Sequence, residues 1–240
     1  MKGIVLAGGL GTRLNPLTQH DNKHLLPVYD KRMVEFPLRT LTAAGIDDVI
    51  LITGGHRPGK FLEIFKNGKS LGANRLYYTY QEGEGGIAAA LKMARPFMRS
   101  NESCIVILGD NYFEDGIRPQ YKSWNKKGAK VFLKEVDVPW QYGIAATDGI
   151  KIIDIEEKPS EPKTNLAIVG CYMFDYTLWE KLDRVKPSLR GEMEITDVLK
   201  FYMEEDKLGY SFYEGYWQDM GTFESWMEVS KRISSMEMTK

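Results

Sequence analysis

The chain has 240 residues, 43% of them hydrophobic and 27% charged, enough apolar material for a single α/β domain with a buried core. Its 32 basic and 33 acidic residues leave a formal charge of −1, which excludes a global field that would recruit nucleic acid or an anionic membrane. A phosphorylated substrate must therefore be held by a few local cations and backbone donors.

The N-terminal apolar run stops at Gly8, too soon for the h-region of a secretory signal. No segment approaches the ~20 apolar residues of a membrane-spanning helix. Cys104 and Cys171 sit inside apolar stretches and read as core filler rather than a disulfide framework. A cytoplasmic protein is expected. In chain order, Gly3 to Ala7 reads as a strand and Met33 to Ala44 as a helix capped by Gly45. Val49 to Thr53 is a β-branched strand, Arg57 to Lys66 a helix, Leu76 to Tyr80 a strand and Gly86 to Ala94 a helix. Cys104 to Leu108 is an apolar strand before Gly109-Asp110. Strands alternating with helices predict a parallel sheet with covering helices, and continuous runs such as VILIT and CIVIL fit burial on both faces. After Asp110 the rhythm changes. Val131 to Val136, Gly143 to Thr147, Ile150 to Glu157 and Ala167 to Phe174 read as strands of an antiparallel or mixed insertion, with a hairpin turn at Asp148-Gly149. Helices follow over Glu194 to Glu205 and Thr222 to Ile233. The last places Phe223, Trp226, Met227 and Ile233 on one side, which suits either core or a subunit contact in a homo-oligomer.

The most informative local feature is a strand followed by Gly8-Gly9-Leu10-Gly11-Thr12-Arg13. Glycines let backbone amides approach an anion, and consecutive N–H groups can cradle phosphate. Arg13 adds a permanently charged fork. The segment lacks the lysine–Ser/Thr pair of the Walker pattern and the third glycine of the dinucleotide fingerprint. Alone, it suits a tight strand-to-loop turn as well as a phosphate site. Lys23 shifts the balance, because a lysine beside an apolar run ending at Pro27 can be held rigidly at a site's edge; a solvated surface lysine is the other reading. His24 is assigned to packing or a hydrogen bond, since three scattered histidines show no metal-ligand spacing.

Asp110 closes the run IVILGD, and a carboxylate just past the C-terminal end of a parallel strand sits where α/β folds bind ligands. Asp219, in Trp217-Gln218-Asp219-Met220-Gly221-Thr222, can join it only through tertiary folding. A pair of hard oxygen ligands, completed by phosphate oxygens and waters, suits Mg²⁺. Each aspartate alone equally suits a turn or a helix cap. The Gln81 amide can donate and accept, so it can read the imide edge of thymine or uracil. Gly86 suits a base lying against backbone, and a flexible charged loop is the plainer reading of this segment.

LAGGLGTRLNPLT followed by NKHLLPV resembles the signature of the sugar-1-phosphate nucleotidyltransferases, most closely the glucose-1-phosphate thymidylyltransferases. The resemblance continues in family order through ILGDN, EEKP, RGEMEITD and WQDMGT, covering nearly the whole chain. It implies a Rossmann-like three-layer αβα sandwich with a mixed, mostly parallel sheet and a smaller antiparallel sugar-binding insertion. Within one such domain, residues 1–110 would form a nucleotide-binding half and 111–218 a sugar-binding half. Residues 219–240 would carry the second metal aspartate and the C-terminal helix.

By the same resemblance, Leu6, Gly8, Gly9, Leu10, Gly11, Thr12, Arg13, Gln81, Gly86 and Asp110 meet the nucleotide, with Arg13, Lys23 and Asp110 catalytic. Asn111, Tyr142, Gly143, Glu157, Lys158, Val169, Arg190 and Trp217 meet the sugar 1-phosphate, Glu157 through vicinal hydroxyls and Lys158 through the phosphate. Asp110 and Asp219 hold Mg²⁺. The implied reaction condenses dTTP with α-D-glucose 1-phosphate to dTDP-glucose and pyrophosphate, with neither nucleic acid nor membrane as partner. UTP or another sugar 1-phosphate, or a non-catalytic nucleotide-sugar sensor, are the alternatives; the failed fingerprint weakens a dehydrogenase. Many relatives have an aspartate before the base-contacting glycine and a glutamine three positions beyond it, where this chain has Gly85 and Ala89. The chain resembles the short members of the family, so feedback regulation through a further C-terminal segment is not carried over.

Overall fold

Apolar runs bounded by glycines become strands, and the intervening periodic segments become helices. The structure, a computed structural model, describes residues 1–238; residues 239–240, the end of the segment expected over 219–240, lie outside the described residues. The chain divides into two compact units. One holds Gly3–Glu84, Ile107–Arg118 and the segment from Gly215 onward, and the other holds Met1–Lys2, Gly85–Val106 and Pro119–Glu214. These boundaries are not the sequential ones at 110 and 218, because residues 85–106 lie in the unit that also contains 119–214.

In the first of these units, strand Lys2–Ala7 pairs in parallel with Asp48–Thr53, and that strand pairs in parallel with Arg75–Tyr80. Helices Glu35–Ala43 and Gly59–Phe65 make the crossovers. This is the Rossmann-like βαβαβ arrangement expected from the alternation. Gly3 lets the first crossover helix close down, since a Cβ there would meet Leu41 Cδ1 at 2.7 Å. The helix buries Leu38 and Leu41, each contributing about 1.5–3 kcal/mol relative to exposure. Gly45, at φ 89, ends it as expected. The helix expected over 57–66 is shorter because Arg57 and Lys66 adopt left-handed backbone, φ 50 and 49.

Two short strands that the sequence did not announce, Asn111–Phe113 and Trp217–Asp219, form an antiparallel ribbon, with Asn111 opposite Asp219. The C-terminal helix begins at Phe223. It packs Phe223, Trp226, Val229 and Ile233 into a core with Leu14, Val28, Met33, Tyr112 and Met220. Three of the four apolar residues expected on its one face are therefore core, while Met227 is 47% exposed.

In the other unit, Ala129–Glu135 runs antiparallel to Leu166–Phe174 and parallel to Leu208–Phe212, a strand not expected from the sequence. Gly143–Thr147 pairs antiparallel with Ile152–Glu157 through the expected turn, where Gly149 has φ 91 and Asp148 accepts from the N–H groups of Ile150 and Lys151. The insertion is thus mixed. Helices Gly86–Lys92, Leu178–Arg184 and Ile195–Glu204 belong to this unit. The central sheet combines parallel and antiparallel strand pairs, the mixed sheet expected of this α/β fold. Among the described residues no helix is long and apolar enough to cross a membrane.

Candidate active site

The glycine loop leaves the C-terminal end of strand Lys2–Ala7 and enters a 3₁₀ turn over Thr12–Leu14. Gly11 sits at φ 70, and a Cβ on it would meet Lys23 Cβ at 2.7 Å; one on Gly9 would meet Lys23 Nζ at 3.7 Å. The Lys23 side chain therefore lies along the loop's Gly11–Gly9 face, and the loop's glycines are what let it approach so closely. Thr18 Oγ1 donates to Gly11 O at 2.8 Å and holds the loop from outside.

Lys23 is fixed from its own side by Asn22. That carboxamide accepts from His24 N at 3.0 Å and lies 2.8 Å from His24 Nδ1, while its Nδ2 donates to Gly54 O at 2.8 Å. His24 is buried. Burial and the neighbouring Lys23 ammonium push its pKa down to about 3 against the pull of Asp110, so the ring is neutral and packs, as expected. A Cβ on Gly109 would meet His24 Cδ2 and Leu6 O, each at 2.7 Å. Leu6 is only 7% exposed, and its carbonyl accepts from Gly109 N at 2.8 Å, so it braces the site through its backbone.

The ammonium of Lys23 lies 2.5 Å from Asp110 Oδ2, with side-chain exposures of 12% and 11%. The other oxygen of Asp110 accepts from Asn111 Nδ2 at 2.9 Å. Burial opposes ionisation of Asp110, but Lys23 outweighs it and holds the carboxyl well below the usual range. Burial likewise works against the charge on Lys23, yet Asp110 and Asp219 together raise its pKa. Asp219 comes alongside through the ribbon, where Met220 N donates to Asp110 O at 2.9 Å. Burial first, and then repulsion from Asp110, raise its pKa to about 6 despite Lys23 and Arg13. Its Oδ1 accepts from Gly221 N at 2.7 Å. Gly221 has no room for a side chain, since a Cβ would lie 2.6 Å from both Asp219 Oδ1 and Arg13 Nη2. Arg13 is exposed and makes no ion pair among the described residues. The two aspartates and the two cations expected to act together are thus brought together.

Gln81 reaches the same loop. Its Oε1 lies 2.8 Å from the position a Cβ on Gly8 would occupy, and its N–H donates to Thr53 O at 2.8 Å. Gly54 packs backbone to backbone against Gly8: a Cβ there would lie 2.9 Å from Gly8 Cα and O. Leu10 covers Gly55, its Cδ2 being 3.1 Å from the corresponding Cβ position, and Thr12 is exposed. Asn22, Thr18, Gly54 and Gly221 were not read from the sequence as site residues. Asn22, directly before a 3₁₀ turn, carried a capping signal; the others act through contacts that only folding creates.

In the other unit, Gly86 has φ 83, and a Cβ would meet Met193 O at 2.6 Å, which gives this glycine a packing reason of its own. Glu157 lies opposite Gly143 in the strand register. It accepts from Thr196 Oγ1 at 3.1 Å, and burial and then Glu194 raise its pKa. Arg190, expected toward phosphate, pairs instead with Glu157, Glu192 and Glu194 at 3.6, 3.0 and 3.3 Å. Lys158 is exposed, has φ 42, and donates its N–H to Tyr142 O at 3.0 Å. Val169 is fully buried, where the strand's register shifts between Ile168 and Tyr172, so only its backbone is available to a ligand. Asn111 and Trp217, expected at the sugar phosphate, are 1% and 5% exposed in the first unit and bond to each other.

A family model described as nucleotidyl transferase matches residues 2–236. The glucose-1-phosphate thymidylyltransferase of Xanthomonas campestris pv. campestris is 40% identical over 243 residues, spanning 99% of this chain and 82% of that protein. The Mycobacterium tuberculosis protein of the same name is 37% identical, spanning 99% and 83%. A Bacillus anthracis crystal structure in complex with sucrose, assigned to glucose-1-phosphate thymidylyltransferase, matches with a TM-score of 0.90 at 40% identity, covering 97% of this chain and 94% of that one. UDP-glucose pyrophosphorylase in complex with UDP-glucose, at 22% identity and a TM-score of 0.84 over 98% of each chain, shares the fold.

Proposed function

This chain belongs to the nucleotidyl transferase family, and from that premise we propose that it condenses dTTP with α-D-glucose 1-phosphate to give dTDP-glucose and pyrophosphate. The observation that carries the reading is Lys23, held along the glycine loop with its ammonium 2.5 Å from Asp110 and with Asp219 beside them. A cation flanked by backbone amides and two carboxylates suits two phosphates that must meet despite their repulsion.

The residues fit a divalent metal. A buried carboxylate and a partly buried one, the second with its pKa raised to about 6 by desolvation and then by the first, form a hard-oxygen pair in need of positive charge. Among the described residues no group of three or more His, Cys, Asp or Glu side chains is placed to hold an ion, so phosphate and water oxygens would complete the coordination. Mg²⁺ held by Asp110 and Asp219 would neutralise charge on the triphosphate.

In the reaction, an oxygen of the sugar phosphate forms a bond to the α-phosphorus while the bond to the bridging oxygen of the β-phosphate breaks, and pyrophosphate departs with that electron pair. The attacking phosphate is already ionised at neutral pH, so no side chain need take a proton. Amides of Gly8, Gly9, Leu10, Gly11 and Thr12 would hold triphosphate oxygens, Arg13 would favour the leaving pyrophosphate, and Lys23 would offset charge as the anions approach. Gln81 would read the base edge, with the Gly86 backbone as a second contact. For the sugar phosphate, Glu157 would accept from hexose hydroxyls, Lys158 would meet the phosphate, and Tyr142, Gly143 and Val169 would offer backbone groups. Arg190 would act by balancing the Glu157 and Glu194 carboxylates. Two buried free cysteines agree with a reducing, cytoplasmic setting.

Pyrophosphate release, measured with Mg²⁺ across a panel of triphosphates and sugar 1-phosphates, tests the proposal. Release that requires both dTTP and glucose 1-phosphate supports it. A preference for UTP or another sugar moves the specificity, and nucleotide-sugar binding without any release leaves a sensor in place of an enzyme.

A further inference from the structure

Trp217 and Asn111 have a geometry that the sugar-contact role does not explain. Trp217 Nε1 donates to Asn111 Oδ1 at 2.7 Å, and Asn111 Nδ2 donates to Asp110 Oδ1 at 2.9 Å. The tryptophan is 5% exposed, the asparagine 1% and Asp110 8%, so the chain of bonds lies out of water. Asp110 Oδ2 is meanwhile bound by Lys23. Both oxygens of the carboxylate are therefore fixed, one by a cation and one by an amide.

An indole N–H can only donate, whereas a carboxamide has a donor end and an acceptor end. By donating to Asn111 Oδ1, Trp217 favours the orientation in which the NH₂ end of that amide faces Asp110. The opposite orientation would set an amide oxygen against the carboxylate and an NH₂ against the indole N–H, leaving buried groups mismatched. The same bond ties together the two strands of the ribbon, Asn111–Phe113 and Trp217–Asp219. Those strands carry Asp219 directly and adjoin Asp110. One indole N–H thus bears on the orientation of one carboxylate and on the placement of the other.

We propose that Trp217 is a positioning residue, acting through Asn111 to orient Asp110 toward the ion it would share with Asp219. The inference rests on the metal reading of the site given above. Groups that orient a metal ligand from behind commonly change metal affinity about 10–100-fold when removed.

The test is a Mn²⁺ titration of the free protein, followed by electron paramagnetic resonance, with Trp217→Phe, Asn111→Ala, the double variant and Asp110→Asn. The phenyl ring keeps most of the packing and lacks the N–H. Benzothienylalanine at position 217, which has the shape of tryptophan with sulfur in place of the N–H, serves as a second probe if the phenylalanine variant folds poorly. Positioning predicts about a tenfold weaker Mn²⁺ affinity for Trp217→Phe and for the benzothienyl protein. It also predicts that the double variant is no weaker than Asn111→Ala alone, with the KM for sugar 1-phosphate unchanged. Unchanged Mn²⁺ affinity with a raised sugar 1-phosphate KM would overturn positioning in favour of direct sugar contact. Additive losses in the double variant would also overturn it, since Trp217 would then act independently of Asn111. Asp110→Asn separates the two levels. If it loses Mn²⁺ while Trp217→Phe does not, positioning alone fails; if it binds Mn²⁺ normally, the metal reading fails and takes the inference with it.

Discussion

Replacing Lys23 by methionine isolates the charge at the centre of the site. Methionine retains an unbranched stem to lie against Gly11, whose Cβ position is 2.7 Å from Lys23 Cβ, so the loss is electrostatic rather than a cavity. The Lys23–Asp110 pair is nearly out of water, with side-chain exposures of 12% and 11%. Removing one partner of such a pair costs about 3–5 kcal/mol, because the other charge stays buried without compensation. Asp219 aggravates the loss, since its pKa is already raised to about 6 by burial and by Asp110. For a chain of this size each kcal/mol shifts Tm by roughly 2–4 °C, so a cost of about 3 kcal/mol lowers Tm by about 6–12 °C. Turnover should fall about 10²–10³-fold, the usual effect of removing one preorganised charge-stabilising contact. Adding Asp110→Asn to Lys23→Met should restore much of the stability, because a matched neutral pair leaves no orphaned charge, while turnover stays low. Thermal unfolding and pyrophosphate release measure the two effects. A Lys23→Met protein that melts with the wild type and turns over within threefold of it would refute the reasoning.

Gly54→Ala should destabilise by about 1–3 kcal/mol and raise the nucleotide KM, because the new Cβ would lie 2.9 Å from Gly8 Cα and O and neither can move without moving the loop. Gly59→Ala, with nothing within 4 Å of its Cβ position, should be neutral or slightly stabilising in the same melting experiment. Glu102 accepts from Lys2 Nζ at 2.8 Å; burial pushes its pKa up, but Lys2, the Arg99 N–H and the terminal ammonium prevail and bring it down to about 2 from 4.5. A depressed folded pKa stabilises above the unfolded value, so the advantage of wild type over Glu102→Gln should be complete above about pH 4.5 and vanish as pH falls through about 2, as read by urea unfolding across that range. Glu157→Gln should raise the KM for sugar 1-phosphate about 10–100-fold, the worth of hydrogen bonds to a charged acceptor; steady-state kinetics with dTTP saturating would show no change if Glu157 does not meet the sugar.

What could be read in advance was local. Cys104–Leu108 and Gly143–Thr147 have the ends expected, because a run of apolar residues between turn formers leaves the backbone few other ways to satisfy itself. The helix over Gly59–Phe65 came out shorter because its flanking residues adopt left-handed backbone, which neither arginine nor lysine announces. Trp217–Asp219 is three residues long and exists only through its partner Asn111–Phe113, about a hundred positions earlier in the chain; no periodicity within either segment could reveal the pairing.

The site divides along the same line. Its glycine loop and Lys23 were legible, since a phosphate cradle and its cation lie close together in sequence. The approach of Asp219 to Asp110 was not, because it depends on that ribbon. Nor was the engagement of Arg190 by three carboxylates, or the burial of Asn111 and Trp217. A motif places chemistry-bearing residue types in order, but which of two donors touches a substrate and which aligns its neighbour depends on who lies behind whom. In Asp110 that division is physical: one oxygen faces a cation and the other is held by an amide, so the neighbour behind the carboxylate differs from the one in front of it.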